Sequence, residues 1–333
     1  SSNIKLIHRA EYCKSIIADG KELITGNESG EIRVPELNDE KVYIIFKENL
    51  QSLKEAFKSC TSLTTIPENL FANCSEVTSI SYAFSGCKSL QSIPIGLFAN
   101  NRKIIYLNFV FYSCEALTAI PAGLFDNNPA VTEFQGTFTG CKALTSIPDG
   151  LFAHNSTVTN FYGIFSDCWA LKSLPANLFA NNRKVNSFRL SFSGCKALTE
   201  IPENLFANCP EVTSFQHTFN SCSALTSIPE NLFVNNTKVT SFNYTFIDCS
   251  ALKSIPENLF ANNRKVTDFS YTFTGCYALT GESPYTMIGD KKVHLYERAD
   301  YPEHFTAPTV FLDCFKNCTG LTDYAQIPTN WKE

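Results

Sequence analysis

Cysteine is the residue of this sequence whose type and spacing first suggest chemistry. Nine of the 14 cysteines stand 27 residues apart without one insertion or deletion: Cys60, Cys87, Cys114, Cys141, Cys168, Cys195, Cys222, Cys249 and Cys276. Ligands at such intervals make a poor zinc pattern, and only Cys314 and Cys318 lie near each other in sequence. We therefore predict buried structural thiols and no metal site. Disulfides between neighbouring units stay open, because Cα distances permit them.

Other residues capable of catalysis form no recognisable group. The sequence has no GxSxG elbow, no HExxH helix and no phosphate-binding glycine loop. The five histidines stand in unrelated repeat positions, and only His217 falls at one that is expected to be exposed. We predict no catalytic residues, no cofactor and no enzymatic activity.

The elements that carry the cysteines are 27-residue units with two similar halves. In one unit, "LTSI" at Leu225 to Ile228 and "VTSF" at Val239 to Phe242 alternate apolar and polar residues, which is typical of short strands. The remainders, such as "PENLFANN", read as tight turns or single helical turns, with Pro at a favourable first position. Each unit is therefore predicted to contain two short strands and two turns.

One such unit cannot bury its apolar face alone, so the units are expected to stack as a solenoid with parallel strands. We predict an α/β repeat fold of about nine to ten coils, with an N-terminal cap in residues 1–41 and the solenoid in residues 42–275. Residues 276–333 would form the last coil and a C-terminal cap. Because Cys318 follows Cys276 by 42 residues, an insertion is placed at about residues 281–307. It is either a capping hairpin, which we favour, or a functional loop.

The phrases "FSGCKALTEIP" and "LFANCPEVTSF" resemble the BspA-like leucine-rich repeat surface proteins of Bacteroides and related anaerobes. The resemblance covers roughly Leu50 to Leu279, although the commoner units of that family are a few residues shorter. It implies a right-handed leucine-rich repeat solenoid that is exported, displayed at the cell surface and active in binding or adhesion. Leucine-rich repeats also accept Asn or Cys at one inward position, and here that position reads Cys74, Asn101, Asn128, Asn155, Asn182, Cys209, Asn236 and Asn263.

Positions whose residue type varies between the otherwise regular repeats indicate where binding would occur. We define the aromatic row as Tyr82, Phe109, Gly136, Gly163, Leu190, His217, Tyr244 and Tyr271. We define the polar row as Ser81, Asn108, Gln135, Tyr162, Arg189, Gln216, Asn243 and Ser270. Strand alternation predicts that one of the rows faces outward, unless the rings simply pack on adjacent turns. The candidate ligand-binding residues are those nearest the insertion: Gln216, His217, Asn243, Tyr244, Ser270 and Tyr271.

Charge and hydropathy narrow the class of partner. The net charge of −5 gives no support to nucleic-acid binding. No run of 18 apolar residues is present, and the first residues lack the apolar core of a leader. We expect an extracellular, cell-surface monomer that is secreted or anchored in the outer membrane, with any leader or lipid anchor outside this chain. Its ligand would be a host protein, a matrix component or a glycan; the alternative is a structural spacer without a ligand of its own.

Overall fold

Parallel pairing between successive 27-residue units dominates the computed structural model, which describes residues 4–24, 26–38 and 41–333. One residue of each unit forms a parallel bridge with its counterpart in the next unit. These ladder residues are Ser52, Ser79, Tyr106, Glu133, Asn160, Ser187, Ser214, Ser241, Asp268 and Val310. The units therefore stack in register, as their constant interval predicted. Handedness and the number of coils stay predictions.

The paired segments are shorter than the strands that the alternating pattern predicted. Throughout residues 47–284, all of which are described, the chain forms isolated bridges and turns instead of extended strands or helices. The turns are closed by bonds between residues three apart, such as Leu70 N–H to the Pro67 carbonyl at 3.2 Å and Cys74 N–H to the Phe71 carbonyl at 3.0 Å. A coil of 27 residues must turn repeatedly to close on itself. Little extended backbone is therefore left, and one residue of each unit forms the parallel bridge to the next unit.

Stacked phenylalanine rings form the centre of the core. The column of phenylalanines that stand three residues before a cysteine comprises Phe57, Phe84, Phe111, Phe138, Phe165, Phe192, Phe219, Phe246, Phe273 and Phe315. Successive ring centroids in it lie 5.2 to 6.0 Å apart, and every ring is buried. A parallel column runs from Phe71 to Phe260. Ring burial of this extent is the main apolar contribution to stacking.

Polar side chains inside the core bond to backbone carbonyls of the preceding coil. Each cysteine of the series from Cys87 onward points its Sγ at a phenylalanine carbonyl 30 residues earlier, as Cys195 does to Phe165 at 3.3 Å. Asn101 donates from Nδ2 to the carbonyls of Phe71 and Cys74 at 3.0 and 2.8 Å, and later asparagines repeat the pattern. All 14 cysteines are buried with free thiols, which confirms the predicted buried column.

Antiparallel strands cover the N-terminal end. They are β1 (Ile4–Ile7), β2 (Cys13–Ala18), β3 (Lys21–Ile24), β4 (Ile32–Val34) and β5 (Val42–Phe46), with a 3₁₀ helix at Ala10–Tyr12. β1 pairs with β4, and β2 lies between β3 and β5. The N-terminal sheets thus continue to Phe46, five residues beyond the predicted end of the cap. Residues 1–3, 25, 39 and 40 of the predicted cap lie outside the described residues.

The C-terminal insertion forms a hairpin of β6 (Tyr285–Ile288) and β7 (Lys291–His294), followed by a 3₁₀ helix at Leu295–Asp300. Arg298 of that helix is fully buried and donates to the carbonyls of Asn263 and Phe260 at 3.2 and 2.8 Å. These are the two acceptors that the next asparagine of the column would have used. Arg298 therefore completes that column, which is consistent with the capping role predicted for the insertion. A last 3₁₀ helix, Thr329–Trp331, places Trp331 on Phe311.

Candidate binding surface

The six predicted ligand-binding residues lie together on three successive coils, two and three positions after the ladder residues Ser214, Ser241 and Asp268. Their exposure differs from the prediction of an outward strand face. Gln216, His217, Tyr244 and Tyr271 are half-buried, whereas Asn243 and Ser270 are buried. Neither row is fully outward, because every residue of the aromatic row sits in a turn with φ between 56° and 61° instead of in a strand.

Rings of the aromatic row stack along the solenoid. The centroids of His217 and Tyr244 are 4.4 Å apart, and those of Tyr244 and Tyr271 are 4.5 Å apart, with nearly parallel planes. The rings therefore do pack on adjacent turns, which was the alternative to an outward-facing row. Because the three side chains remain half-exposed, the stack also presents a ring surface to solvent.

The polar row forms a hydrogen-bonded chain beside the stack. Gln216 Nε2 donates to Asn243 Oδ1 at 3.0 Å, and Asn243 Nδ2 donates to Ser270 Oγ at 2.5 Å. Ser270 Oγ in turn donates to Asp268 Oδ1 at 2.5 Å. These bonds fix the side chains before any ligand arrives, which lowers the entropy cost of binding.

The structure adds Asp313 and Lys316 to this surface, and the sequence prediction missed both. Val310 pairs with Asp268, so Asp313 takes the place after Tyr271 in the aromatic row, also with positive φ. Its Oδ2 lies 2.7 Å from Lys316 Nζ, while its Oδ1 is buried without a partner. The interval of 42 residues between Cys276 and Cys318 was the signal that could have found Asp313.

Burial affects the ionisation of two rings of the stack, His217 and Tyr244. Burial, followed by the neighbouring Arg189 charge, lowers the pKa of His217. Burial and the neighbouring Tyr271 and carboxylates raise the pKa of Tyr244. His217 and Tyr244 thus offer neutral ring surface bordered by polar groups, an arrangement suited to recognition.

Another exposed ring on the repeats is already covered on both faces. Trp169, which is 41% exposed, lies between the ammonium groups of Lys142 and Lys196 at 4.7 and 4.3 Å from its indole ring. Those cations occupy the ring faces that a ligand would need. Trp169 is therefore a weaker candidate than the aromatic row.

Neither a metal centre nor a membrane-spanning helix occurs in the part of the chain that the structure describes. No group of three or more His, Cys, Asp and Glu side chains among these residues is arranged to hold a metal ion. Nor does any helix in the described ranges have the length and apolar character needed to cross a membrane.

Comparison with known families identifies the repeats. The family described as "BspA type Leucine rich repeat region" matches residues 145–280 in six copies. A second family, "Mycoplasma protein of unknown function", matches residues 51–178. No curated protein matches the chain.

Several solved structures are similar at low identity. A leucine rich cell surface protein of Faecalibacterium prausnitzii is 20% identical over 86% of this chain and 84% of its own, with a TM-score of 0.38. A leucine-rich repeat protein of Bacteroides ovatus is 17% identical over 77% of this chain and 78% of its own, with a TM-score of 0.22. The Drosophila Toll–Spatzle complex contains a chain that is 16% identical over 65% of this chain and 37% of its own, with a TM-score of 0.31.

The assignment rests on the repeats themselves, since these TM-scores are low. Six matched copies agree with the 27-residue ladder, the phenylalanine columns and the Asn/Cys column described above. Residues 145–280 of this chain therefore match the BspA-type leucine-rich repeat family, which confirms the resemblance seen in the sequence.

Proposed function

We propose that this protein is displayed at the cell surface and binds a host protein, matrix component or glycan through the C-terminal part of the aromatic and polar rows. The family supports the coarser statement, because BspA-like leucine-rich repeat proteins serve in protein interaction or adhesion and are typically found at the cell surface. The more specific proposal, that binding uses this part of the rows, rests on the half-exposed stack of His217, Tyr244 and Tyr271.

Recognition by this surface would combine two contributions. The stacked rings supply rigid apolar area, and aromatic anchors of this kind often dominate binding energy. The polar chain from Gln216 to Asp268 supplies directional hydrogen bonds next to them. Successive coils present these groups at a fixed spacing, so a partner contacts several coils at once.

The test compares two double variants on arrays of host proteins, matrix proteins and glycans. Replacing Tyr244 and Tyr271 by Ala removes two stacked rings, and we expect binding to the captured ligand to weaken well over tenfold, from about 2 kcal/mol or more for each anchor. The matched control replaces Tyr106 and Tyr277, which are 44% and 64% exposed and lie outside the row. We expect this control to bind as the unmodified protein does.

Circular dichroism must show that both variants remain folded. If the Tyr244 and Tyr271 variant folds and binds normally, the binding site lies elsewhere on the solenoid. If no array member is captured by the unmodified protein, the spacer alternative is favoured. Protease digestion of intact cells tests display separately, because an exposed protein is degraded without lysis.

A further inference from the structure

Two glycines interrupt the aromatic row between Phe109 and Leu190. Six of the eight positions carry a side chain, whereas Gly136 and Gly163 carry none. All eight share nearly the same backbone, with φ of 57° at Phe109, 59° at Gly163 and 60° at Leu190. A Phe and a Leu in the same conformation show that the backbone alone does not require Gly163.

The two glycines differ in what surrounds them. A Cβ at Gly136 would overlap the ring of Phe109, which leans across this position, so packing explains that glycine. A Cβ at Gly163 would meet only Thr139 Oγ1 at 3.5 Å and Ser166 Cβ at 4.0 Å, both ordinary contacts. Gly163 itself is buried, but the direction in which its side chain would extend is left unfilled.

The unfilled direction at Gly163 lies between the Phe109 ring and Leu190. Gly136, under the Phe109 ring, and Leu190 are two coils apart, or about 10 Å at the usual spacing of paired strands. Elsewhere in the row, stacked rings are 4.4 to 4.8 Å apart. A planar ring inserted between Phe109 and Leu190 would therefore lie about one coil spacing from each. We name this space the Gly163 notch, formed by Phe109, Gly163, Leu190 and Thr139.

An unneutralised cation borders the notch. The Gly163 N–H donates to the Arg189 carbonyl at 2.9 Å, which places these residues side by side on neighbouring coils. The Arg189 side chain is exposed and lies 5.8 Å from the Tyr162 ring. Among the described residues it forms no ion pair, in a chain whose net charge is −5. Charge complementarity therefore favours a carboxylate on the occupant.

We propose that the Gly163 notch receives an aromatic side chain of a partner protein, with an adjacent carboxylate of that partner paired to Arg189. The inserted ring stacks on Phe109 and contacts Leu190, as the rings of neighbouring coils contact one another. This site adjoins the Gln216 and His217 end of the surface proposed above, since the Leu190 N–H donates to the Gln216 carbonyl at 3.1 Å, but its test does not depend on that proposal.

The probes are capped tripeptides added to the isotope-labelled protein while its amide NMR spectrum is recorded. Ac-Glu-Phe-Glu-NH₂ should shift the Gly163 and Leu190 amides in a saturable manner. Ac-Glu-Ala-Glu-NH₂ lacks the ring and Ac-Lys-Phe-Lys-NH₂ reverses the charge, so each should bind at least tenfold more weakly. Equal shifts with all three peptides, or none with the first, would overturn the proposal.

Two variants distinguish insertion into the notch from peptide binding elsewhere on the solenoid. Gly163→Leu copies Leu190 into the same backbone conformation and fills the space, so it should abolish the shifts, whereas Gly163→Ala should reduce them less. Arg189→Gln leaves the notch open and should remove the preference for acidic over basic peptides. Retained binding by a folded Gly163→Leu protein contradicts the proposal. If that variant does not fold, the peptide series and Arg189→Gln still decide. Saturable shifts with methyl glycosides instead would assign the notch to a glycan.

Discussion

Each cysteine of the 27-residue series from Cys87 onward directs its thiol to one backbone carbonyl of the coil before it. Cys195 lies 3.3 Å from the Phe165 carbonyl and Cys222 lies 3.2 Å from that of Phe192, in a core without exposed sulfur. A thiol is a weak donor and a small apolar group, so it satisfies the carbonyl without introducing a strongly hydrated group. The series is therefore a structural device of the repeat.

Thiol reactivity tests this interpretation. Burial raises the pKa of Cys74 to about 11 and that of Cys209 to about 12, from 9.0. Since the thiolate is the reactive form, a raised pKa keeps the native protein unreactive up to about pH 9, where thiols of the unfolded chain are already half ionised. A bulky maleimide should therefore label few native sites at pH 8 and all 14 cysteines in urea. Rapid native labelling, or disulfides in the mass spectrum, would contradict the buried column.

A single exchange of sulfur for oxygen gives a second test. Cys195→Ser places a more strongly hydrated group at a fully buried position, so we expect the free energy of unfolding to fall by about 1 to 3 kcal/mol. Urea denaturation followed by circular dichroism measures the change. The control is Ser223→Ala, an exposed polar position one coil away, which should alter stability very little. An unchanged midpoint for Cys195→Ser would show that the column tolerates hydroxyl groups.

We expect the C-terminal hairpin and its 3₁₀ helix to act as a cap through Arg298. Burial without a carboxylate partner lowers the pKa of Arg298 to about 9, and the guanidinium lies over the rings of Phe305 and Phe269 at 4.3 and 5.4 Å. The residue still carries its charge at neutral pH, so its two bonds to backbone carbonyls are charge-assisted. The insertion thereby closes a column of polar groups that would otherwise end on unpaired carbonyls.

Removing this guanidinium should destabilise the C-terminal coils. Arg298→Met keeps an apolar stem of similar length but leaves the carbonyls of Asn263 and Phe260 without their donors, at a cost of about 2 to 4 kcal/mol. Hydrogen exchange should show faster exchange in residues 285–333 first. Arg264→Met, an exposed arginine on the last regular coil, is the matched control. Equal stability of the two variants would mean that the hairpin does not act as a cap.

For the whole molecule, the regular interval makes neighbouring coils interchangeable. Every ladder residue from Ser52 to Asp268 pairs with a residue 27 positions away, and the ring columns follow the same step. Stability of such a solenoid is close to a sum over coils and the interfaces between them. We therefore expect that the protein still folds when one whole coil is removed. The alignment of equivalent residues in successive coils, in contrast, must be kept.

Deletion variants examine this directly. Removing residues 169–195 takes out one full unit of 27 and rejoins Cys168 to Lys196, so every remaining column stays continuous. We expect a folded protein of slightly lower stability, measured by thermal unfolding. Removing residues 169–182 deletes only 14 residues, about half a unit. The chain after the junction is then shifted by half a coil relative to the coil on which it must stack. That variant should fail to fold; if both variants fold equally well, register is not what holds the coils together.

Which residues meet along the solenoid can be predicted from the sequence, because a constant interval of 27 places residue i beside residue i+27 in any stacked arrangement. The buried cysteines, the phenylalanine columns and the Asn/Cys column could all be predicted on that ground. The conformation within each coil could not be predicted in this way, because it depends on how the coil closes. Alternation predicted strands with an outward row, but closure of a short coil imposes turns, and Tyr244 and Tyr271 stack half-buried in them.

Features that depart from the 27-residue period could also be identified only from the tertiary structure. Arg298 occupies the place that the interval assigns to residue 290, because the hairpin folds eight extra residues out of the coil before the chain returns. The Gly163 notch depends on the direction in which the Phe109 ring leans, and no sequence pattern specifies that. Periodicity fixes which residues are neighbours, whereas the space between neighbours is set by how their side chains pack.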